Sequence, residues 1–250
     1  KPWFGCACCP SNVSRFIPSL PGYVYAVKDN QVYVNLYLSN KAELIVNKKK
    51  VVLEQETGYP WNGDIRVKVA QGNQEFALKL RIPGWVRNEV LPSDLYSYAD
   101  NQKPTYRIIV NGQETANTLN NGYLSIERKW KKGDVVKIHF DMLPRIVKAN
   151  EKVVDDKGRV SVERGPIVYC AEWPDNKCNV HTVLLNQHPQ FKVVEKPELL
   201  YGISQLKTDA QALSYDKNGK LITKDTELTL IPYYAWAHRG EGDMKVWLPI

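Results

Sequence analysis

The sequence predicts a mostly β protein made of two antiparallel β-sandwich domains. Three observations carry that expectation. Apolar and polar residues alternate with a period of two in run after run. Between the runs stand dipeptides that tolerate positive φ, as tight hairpins require. No long pattern of period 3.6 competes with them. The 250 residues are 43% hydrophobic and 24% charged, an ordinary globular balance with room for more than one core.

Taken in chain order, the first element is the one plausible helix, residues 11–20 (SNVSRFIPSL), with Ser11 or Asn12 as a cap and Pro18 cutting it short. The run QVYVNLYL then sets Val32, Val34, Leu36 and Leu38 on one face against Gln31, Tyr33, Asn35 and Tyr37. EFALKLRIP does the same with Phe76, Leu78, Leu80 and Ile82, and DVVKIHFDM with Val136, Ile138, Phe140 and Met142. One polar face per strand implies half-buried antiparallel sheet. Turns are expected at Asn111-Gly112, Asn121-Gly122, Lys132-Gly133-Asp134 and Asn218-Gly219. The first sandwich is placed at 23–144 and the second at 145–250, with the boundary where a strand ends at Leu143-Pro144.

Charge narrows the partners. The formal net charge is +7, but the basic residues are dispersed. The densest groups, Lys48–Lys50 and Arg128, Lys129, Lys131 and Lys132, read as solvated strand ends, so no nucleic-acid partner is expected. No stretch approaches the roughly 20 apolar residues of a membrane span, and no membrane partner is expected. The chain starts Lys-Pro-Trp-Phe, with neither an initiator Met nor a signal-peptide pattern. It reads as a fragment or a processed piece, which leaves cytoplasmic and periplasmic locations equally open.

The densest chemistry lies in KPWFGCACCPSN, residues 1–12, which holds Cys6, Cys8 and Cys9 of the five cysteines. Adjacent cysteines rarely pair with each other, because the intervening peptide must distort. Cys170 and Cys178 are remote, and the odd count is no disulfide framework. The trio is either a metal or reactive-thiol site or a set of small buried hydrophobes. Cys-x-Cys-Cys is not a common zinc-knuckle spacing, and spacing alone leaves both readings open. His139, His181, His188 and His238 read as surface or packing residues. Glu163 and Glu172 read as surface or turn groups. Trp85, Trp130, Trp173, Trp236 and Trp247 are either packing residues or a sugar-stacking platform. YYAW, residues 233–236, reads as a loop between closing strands.

These residues carry a resemblance. PWFGCACCPSNVSR (2–15) is similar to the Trp-Phe…Cys-Cys-Pro-Pro-Asn…Arg signature of glycoside hydrolase family 127, the β-L-arabinofuranosidases. LRIPGW (80–85), GYLSIERKWKKGDVVKIHF (122–140), GRVSVERGPIVYCAE (158–172) and IPYYAWAHRGEGDMKVW (231–247) resemble further segments of that family, in order. The departure is Ser11, where the family has a second proline.

The resemblance implies an (α/α)6 barrel followed by two β-sandwiches, with residues 1–22 as the end of the barrel and the bulk of the barrel absent. It implies a zinc-dependent retaining mechanism with Cys8 as nucleophile and zinc ligand and Cys9 as zinc ligand. A further cysteine, a ligand glutamate and the acid/base glutamate would come from the barrel. Cys6 is then a bystander. The implied partners are the missing barrel and plant-type arabinose-containing glycans. The chain alone is expected to be inactive. Without the barrel, Trp3, Phe4, Phe16 and Ile17 lack part of their cover, so the N-terminal segment is expected to be mobile, packed back on the first sandwich, or buried in self-association against another copy of the chain. The competing reading, from another class, is a non-catalytic carbohydrate-binding or structural β-sandwich module.

Overall fold

The computed structural model describes residues 8–100, 102–115 and 118–250. The chain is mostly β and divides into two compact units. The first comprises residues 1–59, 63–83 and 106–140, and the second 60–62, 84–105 and 141–250. Cys6, Trp3 and Phe4 lie outside the described residues.

Two sheets build the first unit. One orders the strands Tyr25–Lys28, Gln31–Val34, Asn73–Arg81, Tyr123–Lys131 and Leu119–Asn120. Its neighbours are antiparallel except Gln31–Val34 and Asn73–Arg81, which run parallel. The other, antiparallel throughout, orders Asn40–Val46, Lys49–Thr57, Asp64–Gln71, Val135–Phe140, Tyr106–Val110 and Gln113–Glu114. The alternation read from sequence puts the expected side chains inside. Phe76, Leu78, Leu80 and Ile82 are buried, as are Val136, Ile138 and Phe140. Trp130 is sealed among them, its indole N–H donating to the Phe76 carbonyl at 3.0 Å. Polar contacts tie one sheet to the other, with Gln55 Nε2 donating to the Tyr25 hydroxyl at 2.8 Å and Gln74 Nε2 to the Val46 carbonyl at 3.3 Å.

The Asn-Gly turns form as expected. Asn111 and Gly112 have φ of 50° and 87°, and Asn121 and Gly122 have 49° and 78°. A third turn of this kind carries no glycine: Asn47 and Lys48 have φ of 48° and 61° and join Asn40–Val46 to Lys49–Thr57. At Gly63 the requirement is space. An added Cβ would stand 1.9 Å from the Phe140 carbonyl oxygen, where the backbones meet through Phe140 N–H donating to Gly63 O.

In the second unit, one sheet orders Val183–Leu185, Ile203–Tyr215, Leu221–Pro232, Ile167–Glu172, Arg159–Arg164, Pro144–Ala149 and Tyr96–Tyr98. Three further strands, Lys192–Lys196, Met244–Lys245 and Leu248–Pro249, pair at its margins. The core includes Val160, Val162, Tyr169, Leu206, Leu228 and Leu230, with a smaller cluster of Cys170, Ile203, Ile231 and Ala235.

Three local readings are corrected. Among the described residues the helix spans Cys8–Ser19, so Ser11 is interior rather than a cap and Pro18 lies within. In QVYVNLYL the strand ends at Val34, after which the Asn35 and Leu36 amides turn to Val24 O. The alternation then breaks: Tyr37 is buried against Tyr59 and Phe140, and Leu38 is exposed. Residues 84–105 pack with the second unit rather than lying inside the first, because Tyr96–Tyr98 pairs with Pro144–Ala149.

Candidate functional site

The cysteine pair sits on the helix Cys8–Ser19, with the two sulfurs 3.7 Å apart and both side chains exposed. Hydroxyls brace this helix from within. Ser11 Oγ donates to Cys8 O at 3.1 Å, Ser14 Oγ to Pro10 O at 2.8 Å and Ser19 Oγ to Phe16 O at 2.7 Å. Helical spacing splits the two thiols. Cys9 heads a stripe with Val13, Phe16 and Ile17, and Cys8 heads one with Asn12 and Arg15, whose side chains bond to each other. No residue of this helix is buried, and Val13, Phe16 and Ile17 are more than half exposed.

Among the described residues, no group of three His, Cys, Asp or Glu side chains is arranged to hold a metal. Cys170 and Cys178 are packing residues. Burial pushes the Cys170 thiol up to about 12, with the nearby Glu172 and Asp175 carboxylates adding to the effect, so it stays protonated and inert. Cys178 packs against the core of the second unit. Of the histidines, His139 contacts Asp64 at 2.7 Å and His181 lies 3.4 Å from Asp243.

Sequence reasoning missed the charged interior of the second unit. Glu172, read as a surface group, is buried to 1%. Its Oε1 accepts the Ala237 amide at 3.0 Å, and its Oε2 accepts from Arg239 Nη2. Arg239 also donates to Asp175, with Nη1 to Oδ1 at 2.9 Å. The carboxylates, Asp175 foremost, hold the guanidinium firmly charged by raising its pKa. Glu163 is likewise drawn inward: Tyr98 donates to it at 3.2 Å, and Arg145 lies 3.5 Å from the Tyr98 ring centre. Burial raises the Glu163 carboxyl above its ordinary range, although Tyr98 and Arg145 oppose the shift. A glutamate closing the apolar run IVYCAE was the available signal for Glu172.

The tryptophans divide. Trp85 and Trp130 are buried packing residues, and Trp247 stacks on Tyr96 at 5.7 Å. Trp173 and Trp236 are exposed, as is Trp61, which sequence reasoning did not single out. Trp61 Nε1 donates to the Tyr234 hydroxyl at 2.8 Å, and Tyr233 stacks on Trp236 with ring centres 6.2 Å apart and planes 5° from parallel.

Comparison with known proteins places this architecture. Residues 31–142 match the family model described as β-L-arabinofuranosidase, GH127 middle domain, and residues 144–249 match the glycoside hydrolase family 127 C-terminal domain. A non-reducing end β-L-arabinofuranosidase of Bifidobacterium longum subsp. longum is 30% identical over 264 residues, covering 98% of this chain and 37% of its own length. The solved structure of a GH127 β-arabinofuranosidase is 81% identical with a TM-score of 0.98, covering all of this chain and 39% of the other. A GH127 β-L-arabinofuranosidase from Geobacillus stearothermophilus T6 is 33% identical with a TM-score of 0.85, covering 99% and 38%. The chain thus spans under two-fifths of the length of these three relatives. Both family models match in sequence order and the relatives align across nearly the whole chain, so the chain belongs to glycoside hydrolase family 127 and carries its middle and C-terminal domains.

Proposed function

We propose that the chain is the C-terminal portion of a zinc-dependent retaining glycoside hydrolase that removes β-L-arabinofuranosyl residues, with Cys8 as nucleophile. The observation that carries the activity is the match of 98% of the chain to a non-reducing end β-L-arabinofuranosidase. The cysteine geometry supports the assignment of roles. In a tetrahedral site with zinc–sulfur distances of about 2.3 Å, two sulfur ligands stand about 3.8 Å apart. The Cys8 and Cys9 sulfurs stand 3.7 Å apart on an exposed helix turn, and thiolates are the soft donors zinc prefers. Both therefore fit the metal, with the remaining ligands and the acid/base glutamate supplied by a barrel elsewhere in the parent protein.

When bound, zinc supplies the electrostatic stabilisation that keeps a thiol ionised at neutral pH. The Cys8 sulfur then forms a bond to the anomeric carbon as the glycosidic carbon–oxygen bond breaks, and the departing oxygen takes a proton from the glutamic acid. Water, deprotonated by the same glutamate, attacks that carbon, and Cys8 leaves as thiolate, so two inversions give net retention. Cys9 holds the metal and makes no bond to sugar. Residues 8–19 close the barrel, and its helices cover Val13, Phe16 and Ile17. The test is a mechanism-based arabinofuranose reagent on the full-length parent protein with peptide mass mapping. A thioether adduct on Cys8 is expected, and label on Cys9 or Cys6 would overturn the assignment.

A further inference from the structure

We infer that Trp61, Tyr233, Tyr234 and Trp236 form the surface by which the second unit docks onto the rest of the parent polypeptide. The inference rests on the reading that such a parent exists. The four side chains are from 38% to 53% exposed, and so much bare aromatic surface marks an interaction site. They are linked: Trp61 to Tyr234 by a hydrogen bond, Tyr233 to Trp236 by stacking, and the two pairs by the backbone.

The patch is held in place from beneath. Arg164 Nη1 donates to the Trp61 carbonyl at 3.1 Å, and buried Glu172 grips the Ala237 amide and Arg239 on the far side of the loop. Ala237 sits at φ 67°, a left-handed conformation that a residue with a Cβ adopts only when its surroundings impose it. Rings fixed before contact lose little freedom on docking, as a permanent interface favours.

The occupant follows from chemistry and length. A sugar-binding platform presents polar groups beside its rings, but the Trp61 N–H is satisfied by the Tyr234 hydroxyl, so this pair offers chiefly apolar faces. Two copies of a chain carrying +7 repel each other. The relatives carry more than three-fifths of their polypeptide outside the part matched by this chain, and that remainder is the partner.

Hydroxyl-radical footprinting of the full-length parent, read by peptide mass mapping, tests this without a variant that might fail to fold. Tyr201 and Tyr215, both strongly exposed in the same unit, are the internal standards. Tyr233, Tyr234 and Trp61 are expected to be oxidised at least fivefold more slowly than these standards in dilute, ligand-free protein. A smaller ratio overturns the proposal. So does protection that appears only with added arabino-oligosaccharide, which would mark a sugar site, or only at high protein concentration, which would mark a second copy. Glycosidase activity of the same sample separates the two readings. Active protein with unprotected rings refutes the docking surface alone, and protected rings in inactive protein refute the proposed reaction alone.

Discussion

Replacing Arg239 by Met should loosen the loop that carries the exposed aromatics. Arg239 is the cation shared by Glu172 and Asp175, whose side chains are 1% and 8% exposed. Removing one partner of a buried ion pair costs about 3–5 kcal/mol, because the other partner stays behind uncompensated. Here Gln205 still donates to Asp175 at 3.2 Å and the Ala237 amide to Glu172 at 3.0 Å, which argues for the lower end. A loss of about 3 kcal/mol is roughly a 150-fold change in an equilibrium constant. The Ala237 amide, bonded to the Glu172 carboxylate, reports that change by hydrogen exchange in the full-length protein. Its exchange should accelerate about a hundredfold, while amides of the central hairpin Ile203–Tyr215 and Leu221–Pro232 keep their rates. Adding Glu172→Gln and Asp175→Asn to Arg239→Met removes the stranded charges and should recover most of the protection. An Ala237 rate within threefold of the parent in Arg239→Met would refute the assignment of Arg239 as the anchor.

Other expectations concern the cysteines and both interiors. In the full-length enzyme, Cys8→Ser should lower turnover by about three orders of magnitude or more, since a hydroxyl does not ionise as a thiol does, whereas Cys9→Ser should first lower bound zinc and regain rate with added zinc. Metal content and kcat measured side by side distinguish the two, and full activity in Cys8→Ser would sink the nucleophile. Glu163 has a folded pKa raised by burial, so its stabilising contribution is present below the ordinary carboxylate value of about 4.3 and is lost as pH climbs through the raised one. Glu163→Gln should therefore gain on the parent as pH rises above about 4.3, and thermal melts showing no such trend would contradict the burial argument. Gly63→Ala should destabilise the first unit by about 3 kcal/mol or more, because a Cβ 1.9 Å from the Phe140 carbonyl oxygen forces two backbones apart. A denaturation midpoint matching the parent would show that the approach relaxes without cost.

How far the sequence revealed the fold depended on whether the information was local. Phe76, Leu78 and Leu80 could be placed inside because strand alternation needs only neighbouring residues. Asn111-Gly112 and Asn121-Gly122 declared their turns because few other pairs adopt positive φ readily. The turn at Asn47 and Lys48 was silent, since lysine carries no such signal. Tyr37 was misplaced because its burial is set by Tyr59, Phe140 and the Arg81 carbonyl, all distant in sequence. Glu172, Asp175 and Arg239 escaped for the same reason, Asp175 and Arg239 standing 64 positions apart. The cysteine helix was half legible: a short helix could be read over residues 11–20, but Cys8–Pro10 were not recognised as part of it. The resemblance, not spacing, assigned separate roles to Cys8 and Cys9.

The pairing of Tyr96–Tyr98 with Pro144–Ala149 bears on how such proteins can be recombined. The two family models divide the chain at residue 143, and a chimera joined there would seem natural. Yet that junction splits a sheet. The donor would bring Pro144–Ala149 and everything after it, while the host kept Tyr96–Tyr98 and the Asp100 that bonds Arg145 at 2.9 Å. A chimera that keeps the second unit whole must therefore move residues 60–62 and 84–105 together with 141–250, or adapt the seam afterwards. The piece that must travel whole is discontinuous along the gene.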